Sequence, residues 1–119
     1  MPYSRPGRFD LLISKGLNVV EELGIHLDQA NKPIDLSTYT ARAAFKAVNG
    51  ASTSILELTN GAGITLGANG LITIRLTAAQ SNLFDAGKDG LWSVIVIDQA
   101  GAKEAAFFGS FTTIFATTL

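Results

Sequence analysis

The sequence predicts an all-β protein, an antiparallel β-sandwich of about seven strands with one short helical turn. Two observations predict this fold. Short segments alternate apolar with polar residues, as strands with one face on a core do, and turn-forming residues separate these segments at regular intervals. The chain has 119 residues, of which 47% are hydrophobic, so its length fits one domain with one ordinary core. The number and spacing of the strands are typical of an immunoglobulin-like sandwich, and a small closed barrel is the alternative.

The first eight residues lack the alternating pattern and carry two prolines and two arginines. This composition predicts an extended N-terminal arm at residues 1–8, followed by a single sandwich domain at residues 9–119. We expect the arm to lie on a neighbouring subunit, with Tyr3 as its anchor and Arg5 beside it. A frayed terminus is the alternative.

The clearest strand is predicted at Leu71–Leu76, where apolar and polar residues alternate strictly. Asn69-Gly70 before it is a turn signal, because both residue types tolerate positive φ. After it, Thr77 has the character of a helix N-cap, and Gln80 stands at the third position of a capping box. The sequence therefore predicts a strand that ends directly in a short helical turn.

The second long strand, predicted at Asn18–Asp28, turns Val19, Leu23 and Ile25 toward the core and His26 toward water. Glu21 falls on the apolar side, which predicts a bulge or an edge position there. The other predicted strands are Phe9–Ile13, Tyr39–Val48, Ile55–Thr59, Leu91–Asp98 and Lys103–Phe115.

The last two predicted strands are apolar on both faces. In Leu91–Asp98, Trp92 and Val94 share one face, and the pattern leaves open whether that face is core or surface. In the final strand Phe107, Phe111 and Phe115 form the predicted core face. Phe108 and Ile114 lie on its opposite face and are too apolar to remain in water without consequence. A second cover for these strands is therefore expected from the helical turn, from the arm or from a partner chain.

The sequence contains no recognisable catalytic or ligand-binding motif. The net charge is −1 and there is no cysteine, which argues against nucleic-acid binding and excludes thiolate chemistry. The single histidine, His26, is predicted to be solvated, and Asp85 and Asp89 are predicted to lie in a solvated loop rather than a calcium site. We expect no enzymatic activity, no metal and no cofactor. We also expect no signal peptide and no membrane span, and therefore synthesis in the cytoplasm.

Four segments together resemble a known family. They are residues 31–42 (NKPIDLSTYTAR), 63–66 (GITL), 70–80 (GLITIRLTAAQ), and 86–87 leading into 92–98 and Gly101. The chain is similar to small bacteriophage virion proteins with an immunoglobulin-like β-sandwich, in particular to the N-terminal sandwich of phage baseplate upper proteins. In that family a G-x-P-x-D-L-T-G-Y-T segment enters a strand. Here Asn31 replaces the first glycine, and Ser37-Thr38 replaces Thr-Gly. The resemblance extends from about Val19 to Phe115, and the chain lacks the downstream domains of a full baseplate upper protein.

The resemblance implies a non-enzymatic structural component of a virion that acts by protein–protein docking. Its partners would be other virion proteins and copies of itself, and its location would be the tail, the baseplate, the neck or the capsid surface. The apolar strands and the arm supply the predicted interface residues: Tyr3, Arg5, Trp92, Val94, Phe108 and Ile114. A carbohydrate- or host-surface-binding sandwich module is the alternative function, and the lack of a nucleophile–base pair disfavours an enzyme.

Overall fold

The computed structural model describes residues 7–28, 30–47 and 54–115, which form an all-β fold with one short helix. The prediction of fold class is confirmed. The elements are β1 (Gly7–Arg8), β2 (Leu11–Lys15), β3 (Val19–Ile25), β4 (Thr40–Ala47), β5 (Leu56–Asn60), β6 (Gly63–Leu66), β7 (Leu71–Leu76), α1 (Ala78–Ser81), β8 (Asp89–Ile97) and β9 (Lys103–Phe115). The described residues thus contain nine strands rather than about seven. The additional ones are the short β6 and the two-residue β1, which takes the last two residues of the predicted arm.

The strands follow one hydrogen-bonded path in the order β1-β9-β8-β4-β5-β6-β7-β3, with β2 also pairing with β9. Within this path, β9-β8-β4-β5 and β6-β7-β3 are two antiparallel groups, joined by a two-residue parallel pairing of β5 with β6. The two groups are thus parts of one curled sheet. Most pairs are antiparallel, as predicted, and the pairs of β1 and β2 with β9 are parallel in addition to that of β5 with β6.

The edge beside β9 is interrupted at Phe9 and Asp10, which separate β1 from β2. The Phe9 carbonyl accepts a hydrogen bond from Trp92 Nε1 at 2.8 Å, and Asp10 Oδ1 accepts one from the Ser110 backbone N–H at 3.1 Å. Gly109 permits this arrangement, since a Cβ at that position would collide with the Phe9 carbonyl group. The lack of a side chain at Gly109 therefore allows the backbone at Phe9 to approach β9 closely.

A single core fills the space inside the curled sheet, and its centre is aromatic. Phe45 lies at ring-centroid distances of 5.6 Å from Phe84, 6.1 Å from Trp92 and 5.9 Å from Phe111. Phe84 and Phe111 pack edge to face at 5.2 Å. Burial of each large apolar side chain contributes about 1.5–3 kcal/mol, so this cluster is a principal source of stability.

A β-bulge between Glu22 and Gly24 corrects the prediction for His26. The pairing of β3 with β7 shifts register there, and one extra residue inverts the faces that follow it. Ile25 is consequently 46% exposed, whereas His26 is 2% exposed and lies inside the fold. The bulge predicted from Glu21 is present one residue further along, and the expectation of a solvated histidine is wrong.

The helical turn forms as the sequence predicts. The Thr77 side chain accepts a hydrogen bond from the Gln80 backbone N–H, and the Gln80 side chain accepts one from the Thr77 N–H. The segment after the helix is fastened by Lys15 Nζ, which donates to the carbonyls of Asn82 at 2.7 Å and Phe84 at 2.6 Å. These contacts fix the loop that leads from α1 to β8.

Candidate functional site

The outer face of β9 carries two large apolar side chains separated by two hydroxyl residues. Phe108 and Ile114 are 40% and 37% exposed, and Ser110 and Thr112 lie between them on the same face. The six-residue separation places the two apolar side chains about 20 Å apart along the strand. Exposed side chains of this size are the predicted feature of the last strand, and both predicted residues lie at the surface.

The strands on either side of β9 each add an exposed leucine to this face. Leu91 of β8 is directly opposite Ser110, and Leu12 of β2 is directly opposite Thr112. The two leucines are 56% and 53% exposed. We call the set of Leu12, Leu91, Phe108 and Ile114 the outer apolar face. It surrounds a hydroxyl centre, and such a face suits contact with another protein surface.

The structure corrects the placement of Trp92 and Val94. Both side chains are buried, at 2% and 0% exposure, so neither belongs to a docking surface of the folded chain. Strand alternation explains the correction, because Trp92 inside the core forces its neighbour Leu91 outward. The exposure of Leu91 could not be predicted, because the sequence left open which face of this strand lies in the core. Tyr3 and Arg5 lie outside the described residues.

Leu12 was not predicted as a surface residue, because its exposure beside β9 depends on a strand pairing that is distant in sequence. The first strand was expected from its apolar run alone, with no indication of its partner. Its parallel pairing with residues about 100 positions later in the chain brings Leu12 beside β9. The alternation of side chains along a strand was the one available signal for the exposure of Leu12, since Leu11 and Ile13 on either side of it are buried.

A pocket of about 420 Å³ opens at the end of the sandwich where α1 leads into β8. Its volume lies within the range of ligand pockets, about 300–1,000 Å³. Apolar and aromatic side chains form most of its wall, and charged side chains stand at its mouth. We call it the end pocket, and its lining residues are Ala47, Ile55, Leu83, Phe84, Asp85, Lys88, Asp89, Phe111 and Thr113.

Thr113 is the residue of the end pocket with unmet hydrogen-bonding capacity. Its side chain is 0% exposed, and its Oγ1 has no hydrogen-bond partner. Its backbone is fully engaged, since its N–H donates to the Lys88 carbonyl at 3.0 Å and its carbonyl accepts from the Gly87 N–H at 2.7 Å. A buried hydroxyl without a partner is unfavourable, and a ligand with a polar atom could satisfy it.

The charges at the pocket mouth favour a cation. Asp85, Lys88 and Asp89 are all exposed, and their charges sum to one net negative charge. An apolar wall, a buried hydroxyl and an acidic mouth together define the chemistry of an occupant. Such an occupant has an apolar body, one hydrogen-bonding atom at its inner end and a positive charge outside.

A second polar cluster closes the seam between β3 and β9. His26 Nε2 lies 2.9 Å from Glu104 Oε1, and Glu104 is 19% exposed. The pair connects the end of β3, at one end of the strand path, with the start of β9. Burial, then the nearby carboxylate of Glu104, raises the pKa of Tyr39 beside this seam. We regard this cluster as structural because it joins the two ends of the sheet.

At the break in the edge strand, hydrogen bonds stabilise the carboxylate of Asp10. The pKa of Asp10 is lowered, chiefly by the backbone hydrogen bond from Ser110 and further by the nearby Arg8 guanidinium. Among the described residues, no group of three or more histidine, cysteine or acidic side chains could hold a metal ion. The described part of the chain also contains no helix long and apolar enough to cross a membrane.

No family model and no curated protein matches the chain. Among solved structures, the chain is similar to one described as Drosophila OTK, extracellular domains 3-5. The two share 12% sequence identity with a TM-score of 0.39. The match covers 94% of this chain and 35% of that structure.

Proposed function

We propose that this chain is a non-enzymatic structural component of a bacteriophage virion that acts by docking on copies of itself and on other virion proteins. The outer apolar face is the observation that carries the docking role. The virion setting depends on the sequence resemblance alone. Docking through the face would cover Leu12, Leu91, Phe108 and Ile114, which are otherwise hydrated.

The shape of this face supports contact with a protein rather than with a small ligand. Its apolar side chains are spread over three adjacent strands and lie around hydroxyl groups, so they offer an extended surface to a partner. Exposed aromatic anchors such as Phe108 are typical of protein interfaces. A carbohydrate-binding role has less support, because the rings of Phe45, Phe84, Trp92 and Phe111 are buried and unavailable for stacking on a sugar, which leaves the exposed ring of Phe108 for such a contact.

Light scattering of the full chain from micromolar to near-millimolar concentration tests the docking role. We expect self-association that the Leu91→Ser, Phe108→Ser double variant weakens by more than about fivefold, because truncating interface anchors has effects of this size. Val20→Ser is the matched control: Val20 is 52% exposed but lies on β3, away from the outer apolar face. An equal effect of the control would contradict the assignment of this face.

The virion setting requires a separate measurement. Phage particles purified from a culture of the source strain should contain this chain at many copies, detected by mass spectrometry of the particles. Immunogold labelling would then show which part of the particle holds it. Absence of the chain from purified particles, while it is abundant in the lysate, would refute the virion assignment.

A further inference from the structure

The end pocket is complementary to an occupant that combines an aromatic or aliphatic body, a polar atom and a positive charge. Phe84 and Phe111 line the pocket together with Thr113, whose buried Oγ1 has no hydrogen-bond partner. The mouth carries the carboxylates of Asp85 and Asp89. A tyrosine ring meets the first two requirements, because its body is apolar and its hydroxyl can both donate and accept a hydrogen bond.

The chain itself contains such a combination in the six residues before β1. Tyr3 supplies the ring and the hydroxyl, and Arg5 follows two positions later. Side chains two positions apart project to the same side of an extended segment. Pro2 and Pro6 favour an extended bound form over a helix. A docked segment would therefore present the ring and the guanidinium together.

The direction of β1 makes the pocket of a second copy easier to reach than the pocket of the same chain. Gly7 is paired with Phe107 in parallel, so β1 begins on the side of Phe107 that faces away from Thr113. Thr113 lies six residues further along β9, about 20 Å from Phe107. Four residues of chain place Tyr3 no more than about 14 Å from Gly7, even fully extended. The pocket of a second copy has no such constraint.

We propose that residues 1–6 of one copy bind the end pocket of a neighbouring copy, with Tyr3 in the pocket and Arg5 against Asp85 and Asp89. The proposal rests on the proposed function in one respect, namely that the chain associates with copies of itself. It adds a contact distinct from the outer apolar face. Each copy then gives one arm and receives another, either reciprocally in a closed dimer or head to tail in a ring or filament.

Mixing two deficient variants tests the proposal. Tyr3→Ala removes the anchor and keeps the pocket. Asp85→Lys with Asp89→Lys keeps the arm but repels Arg5, and both positions are exposed, so the fold should be retained. Both variants and their parent also carry Leu91→Ser and Phe108→Ser, so that the outer apolar face does not contribute. Sedimentation velocity on these full-length chains should show that each variant assembles less than the parent, while their equimolar mixture forms a one-to-one dimer that does not grow.

Charge reversal and hydroxyl removal make the test specific. Adding Arg5→Glu to the double-lysine pocket variant should restore assembly. Glu22→Lys with Glu57→Lys is the control, since it makes the same change of net charge at exposed positions outside the pocket. Tyr3→Phe and Thr113→Val should each weaken assembly roughly three- to tenfold, and their combination should weaken it no further, because both remove one hydrogen bond.

The outcomes separate this proposal from the docking role of the outer apolar face. Wild-type assembly that persists in Tyr3→Ala and in the pocket variant, but is lost in Leu91→Ser, Phe108→Ser, refutes the arm contact and leaves the docking role intact. A wild-type chain that stays monomeric at every concentration refutes the arm contact and the self-association together. A third outcome is protection of the pocket from amide hydrogen exchange that is the same at every protein concentration and is lost in Tyr3→Ala. That result would indicate docking within one chain and would also refute the proposal.

Discussion

Replacing Glu104 with alanine removes the carboxylate that His26 contacts in the seam between β3 and β9. With the carboxylate as acceptor, His26 Nε2–H is the donor of a hydrogen bond of 2.9 Å. The histidine is 2% exposed and the glutamate 19% exposed, so water replaces this bond poorly. Hydrogen bonds to charged groups contribute about 1.5–3 kcal/mol, and we expect Glu104→Ala to lower the free energy of unfolding by this amount.

Urea unfolding and thermal unfolding both measure this change. For a domain of this size each kcal/mol corresponds to about 4 °C, so the melting temperature should fall by about 6–12 °C. Glu57→Ala is the matched control, because Glu57 is 59% exposed and its contact with Arg42 at 3.7 Å is a surface ion pair. The control should change stability by less than about 0.5 kcal/mol.

The position of the pair gives a second readout. Because it connects two strands that are not paired with each other, its loss should increase amide hydrogen exchange at the end of β3 and the start of β9 more than in β4. Equal destabilisation by Glu104→Ala and Glu57→Ala, with uniform exchange, would refute the structural role that we assign to His26.

Three further predictions concern the edge strand and the end pocket. Gly109→Ala should lower the free energy of unfolding by about 1–3 kcal/mol or more, because its Cβ would collide with the Phe9 carbonyl. Urea unfolding measures this change, and an unchanged stability would contradict the close approach of Phe9 to β9. Thr113→Val should raise stability by about 1 kcal/mol in dilute monomer, since it removes a buried hydroxyl without a partner; a loss of stability would indicate a partner for that hydroxyl. Folding lowers the pKa of Asp10 below its ordinary value of 3.8, so the contribution of its carboxylate to stability is present above pH 3.8 and is lost as the pH falls below it. The free energy of unfolding, measured as the pH is lowered, should therefore decline less steeply for Asp10→Asn than for the wild type.

The elements that the sequence predicts well carry their signal within one segment. The strand at 71–76 alternates without interruption, and both residues of the capping box at Thr77 and Gln80 are adjacent to it. The long last strand is likewise predicted from its own aromatic pattern. Local patterns of this kind require no knowledge of the partner strands.

The features that escape prediction depend on distant parts of the chain. β6 is four residues long, and its pairing with β7 and β5 defines it. His26 lies inside because a bulge shifts the register of β3 against β7. The end pocket combines residues from β4, the segment after α1, and β9, so no contiguous motif signals it. Phe108 and Ile114 were predictable as surface residues because both lie on a strand whose opposite face is plainly core.

The parallel pairing of β1 and β2 with β9 has a mechanical consequence. Tension applied to the chain before Gly7 and after Phe115 would pull these neighbouring strands past each other along their length. In that geometry the backbone hydrogen bonds between the strands share the load and must break together, whereas antiparallel strands pulled from one end would separate one bond at a time. The Asp10 contact with Ser110, which bridges the break in the edge strand, lies within this loaded region. A domain connected in this way resists stretching along the direction of these strands while its outer apolar face stays in place.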